Sequence, residues 1–130
     1  MRINCDVLKN VDSYNDFQIG DKFYVSEGIA QKLYFRLKDL DRDSLRYIPK
    51  ANATINVLFV DAANVANKIT IAANMKYSTE DRSVWEISLT DAQIPVSGNV
   101  FFELSEDAAI VAKWTLKGGV TVTFQNSGSC

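Results

Sequence analysis

The sequence contains no histidine. Histidine is the commonest general base, the commonest metal ligand and the side chain that titrates closest to neutral pH. Its absence argues against most acid–base enzymes and most metal centres. Long apolar runs are missing too: no stretch approaches the ~20 residues of a membrane span, and the first residues lack the apolar core of a signal peptide. The sequence therefore predicts a protein that binds no membrane and that is made and kept in a cytoplasm, or leaves it by a route other than secretion.

An excess of basic charge is also lacking. Fourteen basic residues stand against sixteen acidic ones, for a net charge of −2, so nucleic-acid binding is not expected. With 130 residues, 47% of them hydrophobic, the chain is long enough for one domain whose core needs no metal or disulfide. Cys5 and Cys130 lie at opposite ends of the chain, and we expect a buried Cys5 and a free thiol at Cys130 rather than a disulfide.

Apolar and polar residues alternate along most of the chain, which is typical of half-buried strands. Leu33, Phe35 and Leu37, for example, alternate with polar neighbours. About seven such segments, separated by turn-forming residues, predict an all-β fold, namely an antiparallel two-sheet β-sandwich of immunoglobulin-like size. Residues 1–28 are less regular and are assigned to an N-terminal arm or added strands. Residues 29–124 are assigned to the sandwich, and residues 125–130 to a flexible polar tail.

The alternation also separates inner from outer residues. Predicted inner faces carry the aromatic residues Phe35, Phe59, Trp85, Phe102, Trp114 and Phe124. Large residues on the opposite faces form a candidate protein interface, consisting of Tyr34, Tyr47, Leu58, Val60, Phe101 and Val111. The alternative is that the N-terminal segment folds over them.

Few residues have a spacing that suggests chemistry. Asp39, Asp41 and Asp43 alternate as at the start of a calcium loop, but Ser44 and Lys50 stand where that loop needs glycine and glutamate. A salt-bridged turn is therefore favoured over a calcium site. Serines, lysines, glycines and carboxylates match no catalytic or cofactor motif, so no catalytic residue, metal ligand or cofactor is predicted.

Basic residues cluster between positions 32 and 50. Such a cluster is usually a solvent-exposed face of mixed charge, and the alternative, functional interpretation is a docking patch whose binding weakens with salt. The residues concerned are Lys32, Arg36, Lys38, Arg42, Arg46 and Lys50.

Residues 33–122 resemble the immunoglobulin-like β-sandwich modules of tailed-bacteriophage virion proteins, especially the N-terminal domain of baseplate upper proteins. The resemblance lies in the strand at 53–59 (ATINVLF), the strand with a Leu-Thr exit at 85–90 (WEISLT), the glycine-led strand at 98–104 (GNVFFEL) and a final hairpin at 110–122. It is a pattern of spacing rather than an exact motif.

This resemblance implies a non-enzymatic virion component that docks onto other virion proteins, as a homo-oligomer or symmetric ring, and is assembled in the host cytoplasm. The chain ends without a helical stalk or receptor-binding domain, so we expect an adaptor or decoration subunit of tail, baseplate or head. A different class of function is a carbohydrate- or peptide-binding module. That module would use exposed aromatic residues, with Tyr34, Tyr47 and Phe101 as the candidates.

Overall fold

The chain folds into β-strands in a computed structural model that describes residues 2–9, 18–26, 28–43, 45–77, 81–90 and 97–123. Within these ranges there are ten strands, one 3-10 turn at Leu40–Arg42 and no α-helix, so the all-β prediction is confirmed. The strands are β1 (Ile3–Lys9), β2 (Gln18–Gly20), β3 (Phe23–Ser26), β4 (Gln31–Asp39), β5 (Leu45–Arg46), β6 (Thr54–Asp61), β7 (Lys68–Tyr77), β8 (Asp81–Leu89), β9 (Gly98–Glu106) and β10 (Ala109–Thr123).

Nine of these strands form one continuous path in the order β2-β1-β4-β8-β7-β6-β9-β10-β3, and β5 pairs with β4 beside it. All pairs are antiparallel except the parallel pair of β3 with β10. The two ends of the path, β2 and β3, are separated in sequence only by residues 21 and 22. This short link brings the two edges of the sheet close together.

The sheet therefore curls into a nearly closed, barrel-like structure rather than a clear two-sheet sandwich. β7 pairs with both β6 and β8, so no break divides the strands into two sheets. The immunoglobulin-like arrangement predicted from the sequence is not confirmed. Alternation distinguishes the two faces of a strand, but it carries no information about which strands are neighbours.

The interior is filled by aromatic rings. Phe102 stacks on Trp114 with ring centroids 5.1 Å apart and meets Phe35 edge-on, also at 5.1 Å. Phe23 lies 6.4 Å from both Phe35 and Phe102. The predicted core positions are confirmed for Phe35, Phe59, Trp85, Phe102 and Trp114, all of which are buried. Phe124 lies outside the described residues.

The described part of residues 1–28 consists of three strands of the sheet. β1 is hydrogen-bonded between β2 and β4, and its inward side chains Ile3, Cys5 and Val7 are buried in the main core. β3 contributes Phe23 and Val25 to the same core. These residues thus share their hydrophobic contacts with the strands that follow.

Cys5 confirms the expectation of a buried thiol. Its side chain is a free cysteine, and the Trp114 indole Nε1–H donates to its Sγ at 3.3 Å. Burial raises the pKa of Cys5 to about 12 and outweighs the lowering effect of that hydrogen bond. The thiol therefore stays neutral at physiological pH, and a neutral buried thiol is a poor nucleophile. Cys130 lies outside the described residues.

We expect Cys5 to be unreactive in the native state. In a Cys130→Ser variant, Ellman's reagent should modify Cys5 rapidly in denaturant and far more slowly in buffer. Because the pKa of Cys5 is raised from 9.0 to about 12 on folding, its ionisation should reduce the free energy of unfolding as pH rises through that interval. Equal rates of modification in buffer and in denaturant would contradict this burial.

The turn between β9 and β10 places two ordinary residues in a backbone conformation that glycine prefers. Glu106 and Ala109 are paired, and the two residues between them, Asp107 and Ala108, have φ angles of 54° and 63°. Both lie in the left-handed region, as in a type I′ hairpin turn. Asparagine and aspartate tolerate this region better than alanine does, so the strain falls mainly on Ala108.

Replacing Ala108 by glycine should therefore stabilise the fold. We expect Ala108→Gly to raise the free energy of unfolding by ~0.5–1 kcal/mol in urea denaturation, because glycine relieves the left-handed strain. The matched control is Ala72→Gly on the exposed face of β7, which should lower stability by ~0.5–1 kcal/mol. A loss of stability in both variants would contradict the turn geometry.

Candidate interaction surface

Two of the predicted interface residues, Leu58 and Phe101, meet on the outer face of the sheet. They are directly opposite each other across β6 and β9. Around them lies an open groove of about 510 Å³, called the β9 groove below. Its other lining residues are Asn56, Thr70, Phe102, Glu103, Lys113, Trp114 and Thr115. Phe101 is 38% exposed, which leaves a large apolar surface in contact with solvent.

The surroundings of this apolar pair are polar and charged. Asn56 and Glu103 are paired with each other across β6 and β9, next to Leu58 and Phe101 on the same face. Lys113 of β10 lies opposite Glu103, and its Nζ is 3.8 Å from Glu103 Oε2. Such an exposed ion pair adds little stability. The β9 groove thus combines an apolar centre with a hydrogen-bonding rim, which is the composition of many protein-docking sites.

Val60 and Val111 do not belong to this groove. Val60 is buried, and Val111 is partly buried against the main core. The register of β10 against β9 shifts between Ile110 and Ala112, which reverses the alternation at that point. Ile110 has the same period-two spacing as the buried residues Ala112 and Trp114, yet it is 53% exposed. A β-bulge of this kind cannot be seen in the alternation of a single strand.

Tyr34 is covered by the chain itself. It lies on the outer face of β4 and packs with Tyr77 against the buried residues Leu8 and Val84, which form a small second core outside the barrel. The Lys76 ammonium lies 5.4 Å from the centre of the Tyr34 ring, a cation–π contact. These contacts give Tyr34 a structural role.

Tyr47 is also held by internal contacts. Its hydroxyl donates to the Glu106 carboxylate, with distances of 2.9 and 3.0 Å to the two oxygens. The Lys50 backbone N–H donates to the same carboxylate at 2.8 Å, and the Lys50 ammonium pairs with Asp107. Desolvation and the Glu106 carboxylate together raise the pKa of Tyr47 to about 12. These hydrogen bonds and the ion pair connect residues 47–50 to the β9–β10 turn.

The three alternating aspartates form a hydrogen-bonded turn. Asp39 caps the 3-10 turn by accepting from the Asp41 backbone N–H at 2.9 Å. Asp41 accepts from the side chain and backbone of Arg2, and this contact holds the pKa of Asp41 below its usual range. Asp43 ends the turn in a left-handed conformation. Among the described residues, no three histidine, cysteine or acidic side chains are grouped to hold a metal ion.

The predicted basic cluster is divided in the structure. Lys32 lies 3.3 Å from Glu86, and Lys50 pairs with Asp107 at the other end of the cluster. Arg36, Lys38 and Arg46 come together in a second groove, on the outer face of β1, β4 and β5.

The described part of the chain contains no helix long and apolar enough to cross a membrane.

Sequence reasoning did not identify the polar side chains of the β9 groove. Asn56, Thr70, Lys113 and Thr115 are ordinary outward residues in their own strands. They become neighbours of Phe101 only through the order β7-β6-β9-β10. Strand pairing alone brings these residues together, and the sequence contains no local pattern that predicts this pairing.

Removing the Tyr47 hydroxyl should destabilise the protein without changing its outer surface. We expect Tyr47→Phe to lower the free energy of unfolding by ~1–2 kcal/mol, because the Glu106 carboxylate, only 8% exposed, loses a hydrogen-bond donor. Urea denaturation measures this change. Tyr24→Phe, at an exposed tyrosine of β3, is the control and should be neutral. Equal stability of Tyr47→Phe and wild type would contradict the structural role of Tyr47.

Comparison with known proteins assigns no family to this chain. No protein-family model matches it, and no curated protein matches it either. The likeness to bacteriophage virion modules therefore rests on strand spacing alone.

Proposed function

We propose that this chain is a non-enzymatic structural protein of a bacteriophage particle. It acts as an adaptor or decoration subunit of tail, baseplate or head and docks onto neighbouring virion proteins. The observation that carries the proposal is the β9 groove, in which Leu58 and Phe101 present an apolar centre within a polar rim. The strand spacing that resembles immunoglobulin-like virion modules supports the same role.

The β9 groove suits rigid protein docking. Leu58 and Phe101 lie on adjacent strands of a continuous sheet, so their backbones are fixed on both sides by hydrogen bonds. Little conformational entropy is then lost when a partner binds. An aromatic anchor surrounded by polar groups that exclude water is typical of the residues that dominate binding energy in protein interfaces. Repetition of this contact would build a homo-oligomer or symmetric ring.

A carbohydrate- or peptide-binding module is the second candidate, and the same groove favours it. An exposed Phe101 ring could stack against a sugar face while Asn56, Glu103 and Lys113 offer hydrogen bonds. Tyr34 and Tyr47, which were expected to contribute, are engaged in internal contacts and do not line this groove. A glycan array therefore separates the two candidates. Glycan binding that is lost in Phe101→Gln would favour the module.

The structural role predicts that the protein travels with particles. In a density gradient of the native lysate, followed by mass spectrometry, the chain should sediment with large particles in a fixed ratio to their major proteins. Phe101→Gln should weaken this association ~30-fold, since loss of a central aromatic anchor costs about 2 kcal/mol. Val65→Gln, at an exposed apolar residue outside the groove, is the control and should sediment as wild type does.

Two outcomes would contradict the proposal. Wild-type chain that stays at the top of the gradient as a small species is not a particle component. Particle association that is equally strong in Phe101→Gln and Val65→Gln would mean that the β9 groove is not the docking surface. Circular dichroism of both variants ensures that a loss of binding is not a loss of folding.

A further inference from the structure

The outward side chains around the β9 groove lie in two rows that cross β7, β6, β9 and β10. Paired residues of an antiparallel sheet lie side by side on the same face, about 5 Å apart, so the strand register gives the order of each row. The first row is Thr70, Leu58, Phe101 and Thr115, and the second is Ala72, Asn56, Glu103 and Lys113. An apolar pair and a polar pair therefore occupy the two central strands, β6 and β9.

These two central pairs are complementary to themselves. A two-fold axis that runs parallel to the strands, between β6 and β9, places β6 of one copy over β9 of the other. Leu58 of each copy then lies against Phe101 of the other copy, and Asn56 lies against Glu103 in the same way. Apolar side chains thus meet apolar ones, and an amide N–H donor meets a carboxylate on both sides of the axis.

The exposure of the apolar pair fits the same arrangement. Phe101 is 38% exposed, whereas Leu58 is half-buried, so more of the Phe101 ring reaches into solvent. The axis places the more exposed ring of each copy on the less exposed side chain of the other. A projecting ring that packs on a recessed neighbour gives the shape complementarity found at the core of protein interfaces.

The charges of the β9 groove balance each other. Glu103 and Lys113 are the only charged side chains among its described lining residues, and the Lys113 Nζ lies 3.8 Å from Glu103 Oε2. Each chain has a net charge of −2, so two copies repel each other unless the surfaces that meet are neutral. A neutral groove lets a second copy approach without like-charge contacts, whereas it offers a strongly acidic or basic partner no electrostatic gain.

We propose that a second copy of this chain occupies the β9 groove, and that the two copies form a two-fold symmetric dimer about the axis between β6 and β9. Phe101 of each copy packs on Leu58 of the other, and the Asn56 amide donates to the Glu103 carboxylate across the interface. Because the proposed function already uses the β9 groove for docking, this dimer rests on that function and specifies its partner.

Sedimentation velocity of the purified full chain over a concentration series measures the dimer directly. We expect a monomer–dimer equilibrium. Phe101→Gln should raise its dissociation constant at least ~30-fold, because each dimer loses two central aromatic anchors. Val65→Gln, at an exposed apolar residue outside the groove, is the control and should associate as wild type does. Circular dichroism of each variant ensures that a loss of association is not a loss of folding.

The polar pair tests the position of the axis. Asn56→Asp brings a carboxylate against Glu103 of the other copy, and we expect it to weaken the dimer at least ~10-fold. The double variant Asn56→Asp/Glu103→Gln exchanges the amide and the carboxylate between the two strands, so association should return towards that of wild type. Asn64→Asp, between β6 and β7, adds the same charge as Asn56→Asp outside the groove and should leave the dimer unchanged.

Several outcomes separate the dimer from the proposed function. A purified chain that is monomeric at every concentration overturns the dimer, and the docking role stands if particle association still requires Phe101. A dimer that withstands Phe101→Gln, or that the double variant does not restore, uses another surface or axis and overturns the proposal. A Phe101-dependent dimer in a chain that never sediments with particles supports the dimer and contradicts the structural role.

Discussion

The contact between Phe102 and Trp114, extended by Phe35 and Phe23, is the interaction on which the rest of the structure depends. Three of these rings come from the neighbouring strands β9, β10 and β3, and Phe35 comes from β4, which lies far from them in the strand order. Their packing across the interior holds the curled sheet together, and the two-residue link between β2 and β3 keeps its two edges close to each other. Successive side chains of a strand point to opposite faces of the sheet. When an aromatic ring points into the interior, its neighbours in the same strand therefore point outward.

The faces of the strands could be predicted from the sequence, whereas their neighbours could not. Phe35, Phe59 and Trp85 were assigned to the core because each lies on the predicted inner face of a strand with period-two spacing, and all three are buried. Whether the strands form two sheets or one depends on β7 pairing with both β6 and β8. These strands follow one another in the sequence, but the alternation within each strand does not show that β7 pairs with a neighbour on both of its edges. The register shift after Ile110 is a further departure that alternation cannot reveal.

The candidate site was predicted only in part, because the sequence indicates which residues point outward but not which of them become neighbours. Leu58 and Phe101 were recognised as apolar residues on outward faces, and the register of β6 against β9 makes them a pair. Tyr34 and Tyr47 carry the same signal in sequence, yet one is covered by Leu8 and Val84 and the other is bound to Glu106. An outward aromatic residue is free for a partner only if no distant part of the chain covers it. That condition depends on tertiary packing.

The interior of the barrel is filled by side chains, and both grooves lie on its outer face. Small barrels hold a ligand only where inward side chains leave space, and here Phe23, Phe35, Phe59, Phe102 and Trp85 occupy the interior with almost no exposure. The two grooves described above lie instead on the outer face, one around Leu58 and Phe101 and one around Arg36 and Lys38. Their linings differ, since Leu58 and Phe101 form an apolar centre in the first, whereas charged side chains line most of the second. Both grooves are built by residues of several strands, so strand pairing rather than any single segment determines what the outer surface presents.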